Sequence, residues 1–91
     1  TEANVRDSDA TLIISLAPTL SGGSLATRDY ASRLRKPCIH IHSGGEWKTR
    51  LAQWLRDNEI RILNVAGPRA SHEPGVALFT NEVLDEILRH R

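Results

Sequence analysis

A chain of 91 residues with a formal net charge of +1 is long enough for one small domain and too evenly charged to indicate a nucleic acid or a membrane surface as its partner. Its composition, 40% hydrophobic and 25% charged, is that of an ordinary globular domain, and no apolar run approaches the ~20 residues of a membrane span. We therefore predict a single domain over residues 1–91 that binds neither. The lone cysteine, Cys38, excludes an internal disulfide and favours a cytoplasmic location.

Three short apolar runs predict β-strands. They are ATLIISL at 10–16, CIHIH at 38–42 and IRILNV at 60–65. The first run is almost continuously apolar, which is typical of a strand covered by helices on both faces.

Helical patterns separate these strands, and one more follows the last. The first helix is predicted over 24–35 and ends at Lys36-Pro37, because proline disfavours helical geometry in the residue before it. The last helix is predicted over 75–90. Apolar stripes mark the two later helices: Trp47, Leu51, Trp54 and Leu55 in the middle one, and Val76, Phe79, Val83 and Ile87 in the last.

The resulting order is β-α-β-α-β-α, which predicts a small three-layer α/β unit with a parallel sheet and right-handed crossovers. The carboxyl ends of parallel strands share one edge of the sheet, and ligands of open α/β sheets bind there. The segments APTLSGG, SGGE and AGPRASHEPG follow the three strands and are expected at this edge.

Two glycines, Gly22 and Gly23, lie between the first strand and the helix after it. The first turn of a helix presents unpaired N–H groups and a partial positive charge, which suit a phosphate, and glycine lets the backbone approach it closely. Ser21, Ser24 and Thr27 could add hydroxyl donors. The spacing matches neither GxGxxG nor a P-loop, so a simple tight turn is an equally open interpretation.

A second candidate segment ends the third strand. Asn64 can hydrogen-bond a base, a ribose or a loop, and Gly67-Pro68 marks a turn. The planar guanidinium of Arg69 suits a phosphate or a molybdate-like oxyanion. The alternative is a turn followed by a solvated arginine.

Four segments together resemble one known family. They are NVRDSDATLIISL from residue 4, GGSLAT from residue 22, RKPCIHI from residue 35 and IRILNVAGPRAS from residue 60. The chain is similar to the putative molybdenum carrier proteins, within a Rossmann-like group of nucleotide-binding proteins that includes lysine-decarboxylase-like phosphoribohydrolases. The resemblance implies a Rossmann-like fold and a phosphate-bearing ligand, a nucleotide or the molybdenum cofactor. The implied ligand-binding residues are Gly22, Gly23, Ser24, Thr27, Asn64, Gly67 and Arg69.

The chain departs from this family in two ways. It matches only the carboxyl-terminal half of the family's usual length, which would leave the first strand as a bare edge and one wall of the crevice missing. We therefore expect a homo-oligomer or a partner chain that supplies the missing half. The hydrolases also carry a glutamate where this chain has Tyr30, so an enzymatic alternative would need Asp29 or Glu73 as its carboxylate. A third alternative is an interaction module that binds no ligand.

Cys38, His40 and His42 alternate along the second strand and are predicted to share one face of it. Cysteine and histidine are zinc ligands, but a structural role on a short strand is the favoured interpretation, so no metal site is predicted. Asp7 and Asp9 precede the first strand at the edge opposite the ligands, and we interpret them as a turn or a helix cap.

Overall fold

The computed structural model describes residues 2–67 and 73–90. Its elements in chain order are α1 (Glu2–Asp7), β1 (Ala10–Ser15), α2 (Gly22–Arg33), β2 (Cys38–His42), α3 (Trp47–Asp57), β3 (Leu63–Ala66) and α4 (Val76–Arg89). The predicted α/β alternation is confirmed, with one additional helix at the start. None of these helices is both long enough and apolar enough to span a membrane.

The strands form one parallel sheet in the order β2-β1-β3. β1 is therefore the central strand, and the prediction that it would be a bare edge is wrong. Residues of β1 pair with residues of β2 on one side and of β3 on the other, and every residue of β1 is buried. The connection through α3 carries the chain back across the sheet, so β3 pairs on the far side of β1. Within the described residues, β3 pairs with β1 alone, and its other edge is unpaired.

The hydrophobic core lies between the sheet and the helices α3 and α4. Alternate residues of β1 and β2 face this core, and the predicted apolar stripes of α3 and α4 pack against them. The ring of Trp47 meets the ring of Phe79 edge-on, with centroids 5.2 Å apart. The core consists of Leu12, Ile14, Ile39, Ile41, Trp47, Leu51, Phe79 and Val83.

The opposite face of the sheet is covered by α2, and α1 packs against α2. Val5 of α1 and Ala31 of α2 are fully buried there. The ammonium group of Lys36 donates to the carbonyls of Val5 (3.3 Å), Arg6 and Ser8 (2.8 Å), which satisfies the carboxyl end of α1. This short, mostly polar helix is held by a residue far along the chain, so its own sequence did not reveal it.

The third strand begins later than predicted, at Leu63 rather than at residue 60. The carboxylate of Asp9 accepts hydrogen bonds from the backbone N–H groups of Arg61 (2.8 Å) and Ile62 (2.9 Å), and these bonds lower its pKa. The two residues form a turn fixed to the start of β1 instead of extending the strand. The interpretation of Asp9 as a structural residue agrees with these contacts.

Candidate functional site

An open cavity of about 1180 Å³ lies between α2 and β3, with α1 at one side. Every predicted ligand-binding residue that the structure describes lines it: Gly22, Gly23, Ser24, Thr27, Asn64 and Gly67. Arg69 lies outside the described residues. Two segments some forty residues apart in the chain, each proposed from sequence, thus meet at one place.

The strand order explains this position. The chain leaves β1 into α2 on one face of the sheet and leaves β3 into α4 on the other face. Neighbouring parallel strands whose connections diverge in this way leave a crevice at their carboxyl ends, where ligands bind in open α/β sheets. The cavity occupies this crevice.

Gly22 and Gly23, at the start of α2, differ in whether the backbone conformation requires a glycine. Gly22 has φ +56°, a left-handed conformation in which a side chain is strained. Gly23 does not have a positive φ, and a Cβ added to it would meet no atom within 4 Å. Glycine within a helix costs up to ~1 kcal/mol relative to alanine. Neither the backbone nor the packing of the described residues accounts for glycine at position 23.

The first turn of α2 also offers hydrogen-bond donors that no side chain of the described residues engages. Its N-cap, Ser21, is extended and makes no side-chain bond to the helix. The N–H groups that an N-cap side chain would otherwise engage therefore remain available at the cavity wall. The hydroxyl of Thr27 donates to the carbonyl of Gly23 at 2.9 Å, so its proton is used within the helix. An anion at this wall would be bound mainly by the backbone, with Ser24 as the adjacent hydroxyl.

On the other wall, Gly67 has a structural reason to be glycine. A Cβ on Gly67 would lie less than 3.0 Å from the carbonyl oxygen of Ile14, because the end of β3 runs directly against β1. Asn64 donates from Nδ2 to the hydroxyl of Thr11 at 3.3 Å, which orients its amide on the cavity side of the sheet.

Tyr30 and Arg33 also line the cavity, although neither was predicted as a ligand-binding residue. In the sequence, Tyr30 was singled out only as the position where the hydrolases carry a glutamate, and Arg33 was not singled out. The guanidinium carbon of Arg33 lies 5.4 Å from the centre of the Tyr30 ring, a cation–π contact. Their separation of three residues on one helix was the available signal.

The two carboxylates named as candidates for a hydrolase, Asp29 and Glu73, lie outside the cavity. Asp29 is exposed and lies 3.7 Å from the guanidinium of Arg28. Glu73 accepts hydrogen bonds from the backbone N–H groups of Leu16 and Ala17. Neither of these two acids lines the cavity, where the carboxylate among the described lining residues is that of Glu2.

Cys38, His40 and His42 share one face of β2, in register with residues of β1. Nε2 of His40 lies 2.5 Å from Oγ of Ser15, whose hydroxyl donates to the carbonyl of Ala17 at 2.8 Å. His40 therefore donates to Ser15, and burial followed by the nearby His42 and Arg50 lowers its pKa. Across residues 2–67 and 73–90, no three His, Cys, Asp or Glu side chains are grouped to hold a metal ion.

A parallel α/β sheet covered on both faces, with a crevice where the connections of neighbouring strands diverge, defines a Rossmann-like domain. Comparison with known proteins then narrows this class. The chain belongs to the circularly permutated YpsA SLOG family, whose model matches residues 1–88.

A solved structure supports this assignment. The crystal structure of a protein from Syntrophus aciditrophicus SB, named putative molybdenum carrier protein, superimposes with a TM-score of 0.85 and 40% sequence identity. The match covers 96% of this chain and 57% of that one, so the chain spans little more than half the length of its relative. The resemblance noted in the sequence is thereby confirmed. No curated protein sequence matches the chain significantly.

Proposed function

We propose that this domain binds a small phosphate-bearing ligand, a nucleotide or a pterin-type cofactor such as the molybdenum cofactor, in the cavity between α2 and β3. The observation that carries the proposal is Gly23. It lines the cavity, faces open space and has no described structural reason to be glycine. A ligand that must reach the backbone there supplies the reason.

The cavity wall at α2 suits a phosphate group. The uncapped N–H groups of the first turn and the positive end of the helix dipole favour an anion, and the hydroxyl of Ser24 adds a donor. Tyr30 and Arg33, farther along the same helix, supply an aromatic face and a positive charge. The volume of about 1180 Å³ accommodates a ligand of nucleotide size, since ligand pockets span roughly 300–1,000 Å³.

The described residues fit the phosphate of a molybdenum cofactor rather than its metal. No cysteine or histidine of the described chain lines the cavity, and the backbone N–H groups at its wall are hydrogen-bond donors, which bind a phosphate oxygen and not a metal cation. If this cofactor is the ligand, the chain holds it by the phosphate and the pterin ring, with Asn64 placed to bond the ring edge. The relative's name refers to molybdenum alone, and this chain's own residues support the anionic end of a ligand.

Thermal unfolding with AMP, ATP, a pterin, molybdate and inorganic phosphate tests the proposal. A ligand that binds only the folded state stabilises it by about 2.7 kcal/mol at a hundredfold excess over Kd, which raises Tm by ~10–20 °C for a domain of this size. Gly23→Ala should leave the Tm of the free protein unchanged or raise it slightly. The same substitution should lower the affinity for the ligand by about tenfold, which corresponds to 1.4 kcal/mol. Ser32→Ala is the matched control, an exposed position on the same helix outside the cavity wall.

An effect confined to Gly23→Ala would support binding at the start of α2. If no compound of the panel shifts Tm, or if a shift persists unchanged in Gly23→Ala, phosphate binding at this wall is wrong.

A further inference from the structure

Glu73 joins two distant parts of the fold through its carboxylate. Its two oxygens accept hydrogen bonds from two successive backbone N–H groups at the carboxyl end of β1, those of Leu16 (2.6 Å) and Ala17 (3.1 Å). More than fifty residues separate donor from acceptor in the chain. The distances are those of charge-assisted hydrogen bonds.

Among the described residues, neither N–H group has a strand partner. The pairing of β1 with β2 ends at Ser15 and His42, and the pairing with β3 ends at Ile13 and Ala66. Leu16 and Ala17 are half-buried, where an N–H group without an acceptor is destabilising. Two adjacent donors that converge on the two oxygens of one carboxylate form a binding site for a carboxylate group.

The backbone of Glu73 shows why this site matters to the fold. Its carbonyl accepts a hydrogen bond from the N–H group of Val76 at 3.1 Å, at the start of α4. Val76 and Phe79, in the first turn of that helix, are buried. Glu73 thus fixes the beginning of α4 with its main chain and attaches it to the sheet with its side chain.

We propose that the N–H groups of Leu16 and Ala17 form a carboxylate-binding site, which Glu73 fills as an internal ligand and which a small free carboxylate fills when the Glu73 side chain is shortened. The site is separate from the cavity, since neither Leu16 nor Ala17 nor Glu73 lines it. Its ligand class is the monocarboxylate of acetate or formate size, because Glu73→Ala removes a –CH₂–COO⁻ group that acetate replaces atom for atom. In the intact chain the attached carboxylate outcompetes free acetate because its effective concentration is high.

Chemical rescue tests the proposal. Glu73→Ala should lower Tm by about 5–15 °C, since it leaves two half-buried donors unpaired. Sodium acetate at about 200 mM should restore a third or more of that loss, measured against sodium chloride of equal ionic strength. The unmodified protein should show no such difference between the two salts.

Glu73→Gln separates occupancy of the site from general salt effects. Its amide fills the same space but offers only one good acceptor, so Tm should fall and acetate should not restore it. Acetate rescue of Glu73→Gln equal to that of Glu73→Ala would overturn the proposal, as would no rescue of Glu73→Ala.

A measurement on the intact side chain covers the case in which Glu73→Ala does not fold. In a pH titration followed by NMR, the amide protons of Leu16 and Ala17 should shift together as one carboxylate is protonated. His40 contacts Ser15, the residue before Leu16, and titrates in the same experiment, so the titration is repeated in His40→Gln to remove its contribution. Two amides that do not respond to a carboxylate, or that respond with different midpoints, would show that Glu73 does not occupy this site in solution.

Discussion

Gly67→Ala tests the account of how the cavity wall is built. The end of β3 lies so close to β1 that an alanine Cβ would stand less than 3.0 Å from the carbonyl oxygen of Ile14 and 3.3 Å from its carbon. Both neighbours are backbone atoms of the central strand, so no flexible side chain can move aside. Forcing an extra methyl group into a packed site costs ~1–3 kcal/mol, and the rigid neighbour places this substitution in the upper half of that range, at about 2–3 kcal/mol.

The loss should appear as a fall in Tm of about 8–24 °C, because 1 kcal/mol corresponds to ~4–8 °C for a domain of 60–100 residues. Urea unfolding should show a lower midpoint concentration, with an unchanged dependence of the unfolding free energy on urea concentration. Gly23→Ala is the matched control, the same substitution where a Cβ meets no atom within 4 Å, and it should leave stability unchanged or gain up to ~1 kcal/mol. If the two substitutions lower Tm equally, then close packing against β1 is not what requires glycine at position 67, and Gly23 does not face an open cavity wall.

Three further predictions concern other parts of the fold. Burial, His42 and Arg50 lower the pKa of His40, so the unfolded chain binds a proton at a higher pH than the folded chain does. The free energy of unfolding should therefore fall as pH drops below about 6.5. His40→Gln should reduce this dependence of the unfolding free energy on pH, measured by chemical denaturation across pH 5–7. The chain should still self-associate, through the unpaired edge of β3 rather than through β1. Val65→Lys should shift the equilibrium toward the monomer in analytical ultracentrifugation, whereas a strict monomer of the unmodified chain at high concentration would contradict this prediction. Arg35 has φ +58°, so Arg35→Gly should raise stability by about 0.5–1 kcal/mol in urea unfolding, whereas a loss would show that its side chain matters more than its backbone.

Local sequence patterns predicted the elements that carry an apolar run or an apolar stripe. The apolar run of β1 and the stripes of α3 and α4 marked the buried surfaces, and the core confirms them. The order of the strands was not predictable in this way, because it depends on the path of the connections over the sheet. The start of β3 was misplaced because the carboxylate of Asp9 holds residues more than fifty positions away in a turn.

The candidate site shows the same division. The pair Gly22 and Gly23 was visible as a glycine-rich turn between a strand and a helix, and the structure places it at the cavity. Tyr30 and Arg33 were missed because the glycine-rich signal marks only the start of α2, and these residues lie two to three turns farther along the helix. A cavity wall is a third environment beside core and solvent, which one-dimensional patterns do not distinguish.

The position of β3 has a consequence for the dynamics of the site. Like β2, this strand pairs with β1 alone, but no residue of β3 is buried and Val65 is exposed, whereas Ile39 and Ile41 of β2 are buried. Segments with few buried contacts open at a lower free energy than the rest of a domain, so amide hydrogens of β3 should exchange with solvent before those of β1 and β2. A ligand that contacts both α2 and Asn64 would hold β3 closed, and slower exchange at 63–66 would then report occupancy of the cavity without any spectroscopic label on the ligand.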